Sequence, residues 1–263
     1  MDSIVRPTSA QTTRRLIVLA CAVFAVVIAE AQMLMGWGQS AAEFAADSDA
    51  TLKVAGFAFA IWGVIYIGVL IYAVRQALPT IGESDLLNRF GWPSAIAFAG
   101  IGLWIVAAAF DQELLTIVLI FASLAVLVVP LVTNAHLIRA IPRTGRERWF
   151  IVWPLALLAG WLAIAAPVNL VTVITGDGAL PGVLSPTTWA MVVLSLVVLT
   201  ALSMTWILRS MPFALPVAWG LLGVFVAEKE RNILLAGFAI IAAGVVLVGA
   251  VILTFQLKPA VER

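Results

Sequence analysis

Apolar runs, each about as long as a bilayer is thick, follow one another from Leu16 to Leu257 with only short polar breaks. No other feature limits the fold as strongly. A hydrocarbon core about 30 Å thick requires roughly 20 apolar residues per helix. Eight runs meet that requirement: Leu16 to Trp37, Val54 to Val74, Trp92 to Phe110, Leu114 to Thr133, Trp149 to Thr172, Trp189 to Leu208, Pro212 to Ala227, and Ile233 to Leu257. The third and fourth are parted only by Asp111, Gln112 and Glu113, which predicts a tight helical hairpin. The seventh is the shortest and holds Pro212 and Pro216, and proline removes a backbone donor where lipid offers no substitute. With 63% hydrophobic and 11% charged residues among 263, the chain carries more apolar surface than a soluble domain can hide. The expected fold is an all-α integral membrane protein of eight transmembrane helices.

Lys and Arg are retained on the cytoplasmic side of a membrane, whereas acidic residues contribute little to orientation. With a cytoplasmic N-terminus, inside segments hold Arg6, Arg14, Arg15, Arg75, Arg89, Arg139, Arg143, Arg146, Arg148, Arg209, Lys258 and Arg263. Outside segments hold Lys53, Lys229 and Arg231. That asymmetry fits eight spans with both termini cytoplasmic. Arg14, Arg15, the apolar run and Ala29-Glu30-Ala31 resemble a secretory signal with a small-residue cleavage site. The run continues through Met33, Leu34 and Met35, longer than a typical signal core, so a retained helix is expected.

The residues that are missing exclude several chemistries. One histidine, His136, cannot build a His-rich di-iron centre or a bis-histidine haem site. Lysine occurs only at Lys53, Lys229 and Lys258, outside every span, so no buried amine is available for a retinal Schiff base. A serine hydrolase would need a base at depth, and the Thr144 to Arg148 loop lacks the glycines of a phosphate cradle. The single Cys21 cannot form an internal disulfide, and a net charge of +1 leaves no basic face for nucleic acid.

The one acidic or basic side chain well inside a run is Glu30, with Gln32 two residues on. A carboxylate in lipid is a functional candidate by default. Glu30 lies about 21 Å from Leu16 at 1.5 Å per residue, so snorkelling to the outer surface explains it as well as a ligand or proton role does.

Among the ten tryptophans, Trp37, Trp92, Trp149, Trp153, Trp189 and Trp206 stand at or near run ends, where indoles anchor at headgroups. Trp62, Trp104, Trp161 and Trp219 fall inside their runs, where an indole N–H has no water and needs an acceptor. The stretch AGFAFAIWGVIYIG, Ala55 to Gly68, places Phe59, Trp62 and Tyr66 on one helical face beside Gly56, Ala60 and Gly63. Such a face either stacks a planar ligand or lets a neighbouring helix approach while the rings fill the gap. Asn169 likewise has two readings. It joins Glu30 and Gln32 in a polar cap over an aromatic chamber, or it satisfies backbone freed by Pro167.

Three motifs resemble the tryptophan-rich sensory protein family, also called TspO/MBR, in its longer bacterial branch. Gly56, Phe59, Ile61, Trp62, Gly63, Ile65 and Tyr66 match its second-helix signature. Pro154, Gly160, Trp161 and Asn169 match its P-x5-G-W-x7-N spacing, and Trp219 to Gly223 with Trp189-Ala190 make the third piece. Two positions depart: Lys53-Val54 replaces the proline before Ala-Gly, and Ile101 stands where an asparagine is expected before Trp104.

The resemblance implies a five-helix core over about residues 14–173, helices over about 188–258 appended to it, and a bacterial inner-membrane location. It also implies a hydrophobic small-molecule ligand, porphyrin or haem, without an obligatory cofactor. The ligand site implied lies between the second, third and fifth spans: ring faces from Phe59, Trp62, Trp104 and Trp161, hydrogen bonds from Tyr66 and Asn169, and a charge from Glu30. A sensory, regulatory or transport role follows more readily than an enzymatic one. Glycine-rich faces permit a homodimer. A secondary transporter is the alternative, suggested by Pro167 and the paired prolines of the seventh run.

Overall fold

The computed structural model describes residues 6–46 and 52–255. Ten α-helices occur among them: α1 Ser9–Met35, α2 Ala41–Ala46, α3 Ile61–Ala77, α4 Asp85–Ala109, α5 Glu113–Thr133, α6 Ala135–Ala140, α7 Trp153–Gly176, α8 Pro186–Leu208, α9 Ala214–Glu228 and α10 Ile233–Phe255. A 3₁₀ turn, Gly56–Ala60, leads into α3, and a π-helical turn, Arg148–Val152, leads into α7. Counting those turns, seven of the described helices are long and apolar enough to cross a bilayer; α9, apolar but only 15 residues long, is not one of the seven.

Several helices begin outside the apolar runs because local capping extends them. Thr8 and Gln11 form a capping box that starts α1 well before Leu16. Ser84 accepts from the Leu87 amide and Asp85 sits in the first turn, so α4 starts before Trp92 rather than at it. The hairpin expected at Asp111 is present, with Asp111 at φ 54° and the Gln112 amide donating to Ala107 O at 2.8 Å. In the seventh run, Pro212 lies in the preceding turn and Pro216 in the first turn of α9, where no intrahelical N–H bond is lost.

α7 is the central helix. Its apolar window is 72% buried, against 22% for α1, and it packs against α3, α5, α8 and α9. On one side α1 lies against α4 and α3, and α4 against α5; on the other α10 covers α8 and α9. Most other helices keep an apolar face turned outward, as at Leu34, Leu199 and Ile241, which suits a lipid solvent.

α9 is seated closely. A Cβ at Gly160 would collide with the Phe213 carbonyl, and one at Gly223 would stand 2.8 Å from the Ala58 Cβ. The Ala55 amide donates to Gly223 O at 3.1 Å, the Lys53 amide to Glu228 Oε1 at 2.9 Å, and the Trp219 indole to Ala58 O at 2.8 Å. This accounts for Trp219 inside its run: its acceptor is a carbonyl of the 3₁₀ turn.

Arginines fasten the opposite end of the bundle. Arg14 and Arg15 share Glu83 at 2.6 and 2.8 Å, all three nearly buried, and Arg15 also donates to Ile81 O and Gly82 O. Arg148 holds Ile138 O and Ile141 O, Arg143 holds Thr254 O, and Arg89 holds Asn134 Oδ1.

Candidate functional site

A cavity lies toward the end of the bundle away from the arginines. Its walls come from the 3₁₀ turn and α3 (Phe59, Trp62), α4 (Ile101, Trp104) and α7 (Trp161, Asn169), and α2 covers it with Phe44. The cavity volume is about 50 Å³.

Rings meet there in pairs. Trp161, only 3% exposed, sets an edge contact with Phe59 at 6.2 Å and with Trp62 at 6.3 Å. Trp62 stacks on Tyr66 at 5.1 Å, and Trp104 meets Phe44 edge to face at 5.9 Å. Although Phe59 belongs to the 3₁₀ turn rather than the α-helix, it still joins Trp62 on this face. Gly56 and Gly63 have nothing within 4 Å of an added Cβ. They therefore do not admit a neighbouring helix; the close approach falls instead at Ala58, against Gly223.

Asn169 is the polar centre of this wall. Its Oδ1 accepts from the Trp104 indole at 3.1 Å, and its Nδ2 donates to Thr116 Oγ1 at 3.0 Å, which in turn donates to Glu113 O. One carboxamide so ties α4, α5 and α7 together. Neither expectation for Asn169 holds as stated, because its partners are a tryptophan and a threonine, not Glu30, Gln32 or backbone near Pro167. Gln32 donates to Trp37 O and closes its own helix end.

Two expected site residues stand elsewhere. Glu30 is exposed on α1 and does not line the cavity; a carboxylate in an apolar run lowers its cost by facing outward, as snorkelling requires. Tyr66 is 7% exposed and backs Trp62 without lining the cavity, since its position one turn on points it toward the core.

Three contributors escaped the sequence reading: Phe44, Thr116 and Thr172. Phe44 does have a signal. Ser40-Ala-Ala-Glu43 is a capping box, with the Ser40 amide donating to Glu43 Oε2 at 2.7 Å and the Glu43 amide to Ser40 Oγ at 3.2 Å. The same bonds hold the Glu43 carboxyl below its ordinary pKa, the backbone bond from Ser40 first. Thr172 carries no such signal; its buried hydroxyl lines the cavity without a partner among the described residues.

The profile of the TSPO-like protein family matches residues 14–252, nearly the whole chain. The chain belongs to the TSPO-like protein family. No curated protein and no solved structure matches it. With seven bilayer-length apolar helices, this TSPO-like chain is a multi-pass membrane protein whose solvent is lipid. The family match extends through α9 and most of α10, helices that the resemblance alone treated as appended.

Proposed function

We propose that this TSPO-like protein binds a planar hydrophobic ligand of the tetrapyrrole class in the cavity between α3, α4 and α7, in a sensory, regulatory or transport role. One observation carries the reading: Phe59, Trp62, Trp104 and Trp161 border a single void, and the indoles of Trp62 and Trp161 donate to no acceptor among the described residues. Trp104 and Trp219, by contrast, have theirs. Aromatic faces with unspent N–H donors and a free Thr172 hydroxyl suit a flat guest with an apolar body and a few acceptors.

Size sets a condition on this reading. Ligand pockets run from about 300 Å³ upward, and this cavity holds about 50 Å³. A macrocycle therefore enters only when α2 lifts Phe44 away, α2 being the cover held by a short helix and its capping box.

Titrating the purified full chain with protoporphyrin IX, followed by tryptophan emission, tests the reading. Trp161→Leu and Trp62→Leu should each weaken binding about tenfold. Trp206→Leu, at a ring 54% exposed on the outer surface, should leave it unchanged. Undiminished affinity in both cavity variants removes the site.

The same reading takes α9 as an eighth crossing, both termini as cytoplasmic and the bacterial inner membrane as the location. Residues 14–173 would form the ligand-binding core, and 188–258 the helices that brace it. The transporter alternative finds less support, since Glu30, the one charge well inside an apolar run, stands outside the cavity.

A further inference from the structure

A second concavity lies at the arginine-rich end, on the outer surface between α3 and α7, with a volume of about 510 Å³. Val64, Ile67 and Ile71 form one bank; Trp153 and Leu157 form the other, and Gly68 and Pro154 the floor. Val64 and Ile67 are 60% and 62% exposed, so the groove is open to acyl chains along its length. From Val64 to Ile71 it runs about 10 Å at 1.5 Å per residue.

The groove is polar at one end only. Trp149 stacks on Trp153 at 4.6 Å, as indoles do at the headgroup level. Thr144 and Arg146 close it beyond them. Most arginines around this end already hold carbonyls, an asparagine or Glu83, and Arg75 lies over the Phe150 ring. Arg146 is exposed and has no hydrogen bond or ion pair among the described residues. A free guanidinium, then an aromatic pair, then an apolar trough complements, in that order, the anionic head, the interfacial region and the acyl chain of a phospholipid.

The geometry points to a selective seat for one anionic phospholipid, with an acyl chain in the α3–α7 groove and its phosphate on Arg146 and Thr144. Charge sets the preference. A zwitterionic lipid fills the groove equally well but brings its own cation to the guanidinium, whereas an anionic lipid supplies uncompensated charge. The seat is separate from the tetrapyrrole cavity: the two have no lining residue in common.

The test uses the full chain purified in mild detergent, with native mass spectrometry during titration by dioleoylphosphatidylglycerol or dioleoylphosphatidylcholine. One phosphatidylglycerol should bind about fivefold more tightly than phosphatidylcholine. Arg146→Gln should abolish that preference while leaving phosphatidylcholine binding intact. Arg139→Gln removes the same charge from an exposed site on α6 outside the groove, and should preserve the preference. Gly68→Leu should weaken both lipids by filling the trough. Equal binding of the two lipids by the unaltered chain overturns the inference, as does equal loss in Arg139→Gln and Arg146→Gln, which would mean a diffuse basic surface. Both arginines are exposed, so unchanged thermal unfolding should accompany either substitution.

Discussion

The indole nitrogen of Trp104 donates to the side-chain oxygen of Asn169 over 3.1 Å, joining α4 to α7 in the wall of the cavity. Both residues are more than nine-tenths buried. The bond explains how a tryptophan deep in an apolar helix avoids an unsatisfied donor, and why the acceptor is a carboxamide: its amide half goes on to Thr116.

Replacing Asn169 with Leu keeps bulk but strands the Trp104 indole N–H and removes the donor to Thr116 Oγ1, whose hydroxyl still donates to Glu113 O. Interhelical hydrogen bonds in bilayers average about 0.6 kcal/mol, but a stranded buried indole donor raises the expected cost to about 1–3 kcal/mol. Thermal unfolding in detergent measures it. In a double-mutant cycle with Trp104→Phe, the second substitution should cost less once the first is present; strict additivity would show that the pair does not interact.

Gly160→Ala should destabilise by about 1–3 kcal/mol, the range for overpacking a filled interior. The obstacle is the Phe213 carbonyl, which is backbone and cannot swing aside like a side chain. Gly63→Ala is the matched comparison, since its Cβ meets nothing. Unfolding midpoints of the two variants should differ clearly, with the second at the level of the unaltered chain.

Acid should loosen α2. The Glu43 carboxyl is held below its ordinary pKa by Ser40, so the charged form is favoured in the folded state. The capping bond is at full strength above the ordinary carboxylate pKa and is lost as pH falls through the depressed folded value. Hydrogen exchange at residues 41–46, taken relative to the intrinsic amide rate at each pH, should therefore quicken on acidification. Ser40→Ala should produce the quickening at neutral pH, about fivefold for a cap worth about 1 kcal/mol, and Glu43→Gln should remove the pH dependence.

The spans were legible because lipid imposes a single length and polarity on any helix that crosses it, and that requirement is written in consecutive residues. The start of α4 was not, because Ser84 and Asp85 extend the helix through residues lipid does not select. The shared face of Phe59 and Trp62 followed from local spacing and their meeting with Trp161 from the family resemblance, while the partners of Asn169 did not, since Trp104 and Thr116 lie 65 and 53 residues away and no local pattern encodes that distance. Glu30 misled for a related reason. Depth along a helix can be read from position in a run, but the direction a side chain faces depends on which neighbours arrive, and Glu30 stays exposed.

Contacts at Ala58, Ala55 and Lys53 mean that the segment carrying Phe59 rests on a helix more than 150 residues later in the chain. A five-helix fragment ending near residue 173 would consequently lack the abutment on which that ring is held, and its aromatic wall would have only one fixed bank. Whatever shifts α9 along its axis also shifts Phe59, so events at the far end of the polypeptide have a direct mechanical route to the first ring of the chamber.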